Sequence, residues 1–343
     1  MDRSGPPAAR ARPMIGTPAR SRRTLPFLLG IVLLTAAAWS LARHGATLDA
    51  ALQALRRPAP GWLLALPAAV AAHVLLTSTV LRLLLNRAIR VGSVGTDEAL
   101  ALTLASALGN MVPVQAGLAG RVAYQHRVHG VPVTVSVLLV VQAALLSIGA
   151  ALWIALALLV VRVAGFSWLA VPASLALLLP AALEASRPRT TLVRAFALRC
   201  LEVLLAGLRV HASLALIGCE ADPAVSLALG TASNLCNAVP VVGNAIGVRE
   251  WVTALLAPSL AGIAPPDVLA AQLLDRAVEI SIVLAGSAVA VPSLARRLAA
   301  APTVHPSSPM PDFTATVHAA WTGARQPGGD AASLPNADPP PRS

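Results

Sequence analysis

Six apolar runs, at residues 25–42, 62–84, 132–161, 166–183, 198–218 and 267–295, constrain this chain more than anything else in it. A bilayer's hydrocarbon core of ~30 Å is crossed by a helix of ~20 apolar residues. No water reaches that depth, so the backbone N–H and C=O groups of such a run must be satisfied within it, as they are in a helix. Only 12% of the 343 residues are charged, and most of them lie between the runs. That is the profile of a polytopic membrane protein rather than a water-soluble globule.

The formal net charge is +11 and every basic side chain is Arg, in a chain that is also rich in Ala and Pro. Compositional bias accounts for this more simply than phosphate binding does. Nucleic-acid binding would need the basic residues gathered on one wet surface with motif support, whereas here they flank the apolar runs. One Arg-rich connection holds Arg82, Arg87 and Arg90, and another holds Arg187, Arg189, Arg194 and Arg199. Placing both in the cytoplasm, with the N-terminal arm and the Arg296–Arg297 pair, satisfies the positive-inside tendency. Glu220, Asp222, Asp267 and Arg162 then lie outside, and Arg56 and Arg57 run against the scheme.

The expected organisation is a disordered basic cytoplasmic arm at 1–24, a transmembrane domain at 25–298 and a disordered cytoplasmic tail at 299–343. The first run reads as a retained anchor, although Ala36–Ala42 could hold a signal-peptide cleavage site. Residues 43–61 read as an interfacial helix ended by Pro58 and Pro60. Cys200, Cys219 and Cys236 have no disulfide or metal-ligand spacing and read as packing residues.

Two further stretches fit no simple span. Residues 105–122 and 232–250 agree at eight positions with an offset of 127, among them Asn110 with Asn237, Pro113 with Pro240 and Gly120 with Gly247. Each has an Arg just after that last Gly, Arg121 in one and Arg249 in the other. Both are moderately apolar and interrupted, by Pro113 and Gly117 in the first and by Pro240, Gly243 and Gly247 in the second. This predicts two re-entrant or broken-helix elements, at 100–122 and 227–250. Three apolar runs separate them, an odd number, so the repeat is predicted to be inverted. The fold class is therefore an all-α polytopic membrane protein of about six to eight transmembrane helices, the count depending on whether 251–264, broken by Pro258, crosses fully.

Paired breaks in inverted halves point to a midplane substrate site where half-helix N-termini face an anion. Ionisable residues in the runs sharpen this, because a central charge costs ~2.5–3.5 kcal/mol on insertion scales and is rarely left facing lipid. Arg121, Arg209, Arg249 and Arg276 read as a slot for an anionic group, since the guanidinium fork matches phosphate. Glu202, Glu250 and Glu279, together with Asp275, read as ion-pair partners, and Asn110 and Asn237 as polar support. His73 and His211 read as packing histidines, and Tyr124, His126 and His129 as residues of the cytoplasmic interface. There is no nucleophile elbow, Walker loop, HExxH or metal cluster, so no catalytic residue and no cofactor is assigned. Acid/base work by Glu250 or Glu279 in an embedded transferase is a weaker alternative.

Pro240, Gly247, Val248, Arg249 and Glu250, followed by Leu273, Leu274, Asp275 and Arg276, resemble the late motif of a known family. It is the flippase-like transmembrane region of bacterial lysylphosphatidylglycerol synthases and their stand-alone relatives. Pro113, Gly117, Arg121 and Gly130 are similar to its early motif, and the resemblance covers about residues 25–295. Gly243, Asn244 and Ala245 stand where the family has Pro-Gly-Gly, and the neighbourhood of Gln142 replaces an Arg often found there. The resemblance implies a bacterial inner-membrane protein without the soluble aminoacyl-transferase domain, which binds or translocates an anionic phospholipid or polyprenyl-linked lipid. A non-catalytic partner subunit of a separate lipid or glycan enzyme is the competing expectation.

Overall fold

The computed structural model describes residues 60–89, 93–111, 116–165, 190–238 and 247–301, with a few isolated positions before them. The arm at 1–24, the run at 166–183, the tail beyond Ala301 and the breakers Pro113, Pro240 and Gly243 lie outside the described residues. Of the first run only Val32, Thr35, Ala36 and Trp39 are described, and all are helical.

The described residues form eight helices and no strand. They are α1 (Pro60–Ala88), α2 (Thr96–Asn110), α3 (Ala116–His129), α4 (Val133–Ala164), α5 (Thr190–Leu216), α6 (Pro223–Ala238), α7 (Val248–Ala261) and α8 (Pro265–Ala300). Three of these, α1, α4 and α8, are long and apolar enough to cross a membrane. The fourth long helix, α5, has 27 residues and carries Arg194, Arg199, Glu202 and Arg209. The local sequence explains the boundaries. Asp97 and Glu98 in the first turn of α2 suit its positive end, and two prolines open α8, where no N–H partner is needed. Left-handed glycines follow α3, α4 and α7, at Gly130 (φ 64°), Gly165 (φ 70°) and Gly262 (φ 67°).

The short helices come in pairs. α2 and α3 have 15 and 14 residues, and α6 and α7 have 16 and 14. At ~1.5 Å per residue each is about 21–24 Å long, less than the ~30 Å core. Residues 111–115 lie between the helices of the first pair and residues 239–247 between those of the second, most of them outside the described residues, and the two short helices of each pair pack together. Pro258 lies inside α7 without ending it, and 251–264 therefore belongs mostly to a half-length helix.

One part of the sequence alignment does not carry into the structure. The second break is longer, so the offset of 127 that holds before it becomes 132 after it, as Gly130 and Gly262 show at the ends of α3 and α7. Gly247 precedes α7, whereas Gly120 lies within α3. Arg249 thus falls opposite Gly117, and Arg121 opposite Thr253, rather than the two arginines opposite each other.

The helices pack as two matching sets. α1 lies along α5 and runs antiparallel to it. Leu66 and Val70 near the start of α1 cluster with Ala212 and Leu216 at the end of α5, while Val80 and Leu84 near the end of α1 cluster with Ala195 at the start of α5. Contacts of α1 with α2, α2 with α8 and α3 with α4 recur as α5 with α6, α6 with α4 and α7 with α8. Exchanging α1–α4 with α5–α8 therefore reproduces the main packing pattern. Because α1 and α5 are antiparallel, that exchange reverses helix direction.

Candidate functional site

The centre of the second set is a buried cluster of three arginines and three carboxylates. Arg209 of α5 grips Asp275 of α8 with both faces of its fork, Nε to Oδ1 and Nη2 to Oδ2, each at 2.8 Å. The same Nη2 donates to Glu279 Oε2 at 2.6 Å. From the first turn of α7, Arg249 donates to Asp275 Oδ2 at 3.2 Å and to Glu279 Oε2 at 3.3 Å. Arg276 Nη1 donates to Glu279 Oε1 at 3.4 Å. Glu250 is fully buried, and its Oε1 lies 3.6 Å from Arg249 Nε, an ion pair without a hydrogen bond. Bidentate, charge-assisted bonds of this kind are the strong ones, and these join α5, α7 and α8.

Three positive and three negative side chains leave this cluster formally neutral. The sequence reading placed Arg209, Arg249 and Arg276 in an open anion slot; the structure brings them together, with Asp275 and Glu279 already in the position such an anion would take. Arg276 and Glu279 form an i, i+3 pair on α8. Glu202 and Asp275, read from the sequence as ion-pair residues, pair with Arg199 one turn earlier on α5 and with Arg209 and Arg249.

A second polar group adjoins the first through α1. Thr77 Oγ1 donates to Glu202 Oε1 at 3.1 Å, and Arg199 Nη1 donates to Glu202 Oε2. His73, one turn before Thr77, lies within electrostatic reach of Glu202, Arg209 and Glu279. Its Nδ1 is enclosed without a partner, unlike His211, whose Nδ1 meets Ser226 Oγ at 3.2 Å. Arg121 of α3 is half-buried. Its Nε is enclosed without a hydrogen-bond partner, and the charge that bears on it is the like charge of Arg199.

The repeated asparagines have different roles. Asn110 Oδ1 accepts the Leu118 N–H at 3.1 Å, capping the first turn of α3 across the break. One N–H that a half-helix could offer to an anion is therefore satisfied internally. Asn237 is exposed near the end of α6. Gly117, read from the sequence as a breaker, is instead the second residue of α3 and a close-packing residue, since a Cβ there would sit 1.9 Å from Ser106 O.

Tyr124 and His129 meet at Glu98, which the sequence did not single out. Glu98 Oε1 accepts from Tyr124 Oη and bonds His129 Nε2, each at 2.8 Å, while Arg297 Nη1 donates to Oε2 at 3.1 Å. This ties α2, α3 and α8 together at one end. Its only sequence signal was an acidic first turn, because its partners are 26, 31 and 199 residues away. All three cysteines are free; burial, and then the Asp267 carboxylate, raise the Cys219 thiol, as suits a protonated packing residue.

No protein-family model, curated protein or solved structure matches this chain. The functional reading therefore rests on the residues and their geometry.

Proposed function

We propose that this chain is a multi-pass membrane protein that binds an anionic lipid head group in the polar core between its two helix–break–helix units and carries it between leaflets. The observation that carries the proposal is that core itself. Guanidinium groups from α5, α7 and α8 gather in one buried cluster, and Arg121 of α3 lies within electrostatic reach of Arg199, in a chain whose repeated Pro and Gly residues are of the kind tolerated at membrane depth only where they are buried or line a polar cavity. The antiparallel exchange of the two helix sets supports an inverted repeat, in which the two short-helix pairs are re-entrant from opposite sides and both chain ends are cytoplasmic. The resemblance to the flippase-like region of lysylphosphatidylglycerol synthases supports a bacterial inner membrane and a phospholipid or polyprenyl-linked substrate.

The test is movement of labelled phosphatidylglycerol in proteoliposomes. The wild-type protein is expected to exchange it between leaflets well above the protein-free rate, and Arg121→Gln is expected to abolish the excess. A wild-type rate equal to protein-free vesicles would sink the transport reading. The formal neutrality of the Asp275 cluster favours a second reading, in which its arginines only hold helices together and the chain is a non-catalytic subunit of a lipid or glycan enzyme. That reading expects a stoichiometric protein complex on purification and no lipid exchange.

A further inference from the structure

We infer that the Glu98 group is a gate: the feet of α2 and α3 are clasped there to the end of α8, and they part from it to open a way to the polar core while the Asp275 cluster stays closed. The inference rests on the transport reading above and names where its motion occurs.

Glu98, 4% exposed, takes partners from two other helices. Its Oε1 accepts from Tyr124 Oη and meets His129 Nε2, both on α3, while its Oε2 accepts from Arg297 Nη1 on α8. Arg297 Nη2 also donates to Asp97 Oδ2 at 2.6 Å, so one arginine holds α8 to two neighbouring acids of α2. The start of α2 is fastened to α1 independently. Arg82 Nη1 donates to Thr96 Oγ1, and the Asn86 amide bonds both the N–H and the C=O of Val94. The joint that yields is therefore the one to α8.

The side chains of Arg297 and Asp97 are 45% and 73% exposed. An ion pair open to water holds weakly, because hydration replaces it. The Asp275 cluster is the opposite case, with Arg209 and Arg249 only 7% and 3% exposed, and parting it would strand charges in apolar surroundings. Of the two charged joints on α8, the outer one opens at the smaller cost. The stretch of α8 from Glu279 to Arg297 covers ~27 Å at about 1.5 Å per residue. Along it lies an apolar seam, where Leu81, Ala101 and Leu104 meet Ala290 and Leu294 and Ser287 Oγ donates to Leu104 O at 3.1 Å. From outside inwards the order is a wet clasp, an apolar seam and a buried polar core.

The inverted twin has no such clasp. The positions matching Asp97, Glu98, Tyr124, His129 and Arg297 are Ala224, Val225, Leu256, Ala261 and Gly165, none of which can form an ion pair. The two ends of the repeat are closed by different chemistry.

The experiment is hydrogen–deuterium exchange of the full chain in phosphatidylcholine nanodiscs containing phosphatidylglycerol, paired with lipid movement in proteoliposomes. In Arg297→Gln the amides of 100–104 and 290–297 are expected to exchange at least about tenfold faster than in wild type, a change of ~1.4 kcal/mol in opening. Those of 209–216 and 273–279 are expected to keep the wild-type rate. No change overturns the gate, and so does an equal rise in all four stretches, which marks a merely structural joint. For lipid movement, Asp97→Cys/Arg297→Cys, with the three native cysteines replaced by Ala, is bridged by a short bifunctional thiosulfonate. The bridge is expected to slow lipid movement at least about tenfold, and its reduction to restore it. Undiminished movement with the bridge in place overturns the gate and leaves the transport reading standing. Wild type that moves no lipid overturns the transport reading, and the gate with it.

Discussion

The two helix sets began from similar sequence and are held together by different means. In α1–α4 the broken pair is closed by backbone approach. Gly109 and Gly117 sit so near each other that a Cβ at Gly109 would lie 2.6 Å from Gly117 Cα, and Asn110 caps the second half-helix. In α5–α8 the position matching Gly117 is Arg249, and the link is electrostatic, from α7 and α5 to Asp275 and Glu279 of α8. Close packing leaves no room for a charge, while an ion-pair latch uses up its own. The comparison teaches that the two copies of a duplicated element can be held by different forces, close packing in one and charge in the other.

Removing the latch should have the largest effect. Asp275→Ala leaves Arg209 and Arg249 underpaired in a buried site, where losing one partner costs about 3–5 kcal/mol. A Tm fall on the order of 10 °C in detergent is expected. Ser147→Ala, at the position on α4 matching Glu279, is expected to shift Tm by no more than ~2 °C. Equal falls would break the claim that only the second set is latched by charge.

Gly117→Ala comes next. Its Cβ meets a backbone oxygen and not the end of a mobile side chain, so α2 and α3 must separate, at roughly 1–3 kcal/mol. Gly120→Ala, with open space around its Cβ, is expected to be neutral or slightly stabilising, since Ala is about 1 kcal/mol better than Gly inside a helix. The same unfolding measurement reads both, and a tolerated Gly117→Ala would show that the first pair is not closed by contact.

The smallest test compares the asparagines. Asn110→Ala removes a cap and should cost about 1 kcal/mol, with faster hydrogen exchange at Leu118. Asn237→Ala, at an exposed site, is expected to stay within about 0.5 kcal/mol of wild type. Equal effects would restore the equivalence that the sequence suggests.

Much of the fold was readable before any coordinates. Apolar run length located α1 and α4 to within four residues at each end, while α5 begins eight residues before its run and α8 ends five after its own, because a helix continues past its apolar stretch wherever its polar residues find partners. The doubled Asn marked the ends of α2 and α6, where Asn110 is the last residue of one and Asn237 the last but one of the other. What the sequence misjudged was register: matching Gly120 to Gly247 paired Arg121 with Arg249, because a longer second break is invisible to a constant offset. It also treated four arginines alike, because charge in a run signals a polar interior without naming the partner.

The sequence by itself determined that the described residues are helical and apolar, because those properties follow from composition and short-range periodicity. Only the tertiary structure decided which charges cancel. Arg209 meets Asp275 across 66 residues, Arg297 meets Glu98 across 199, and Arg121 meets no carboxylate among the described residues. Coulombic pairing depends on distance through space, and where the surplus charge falls is fixed only when the helices pack.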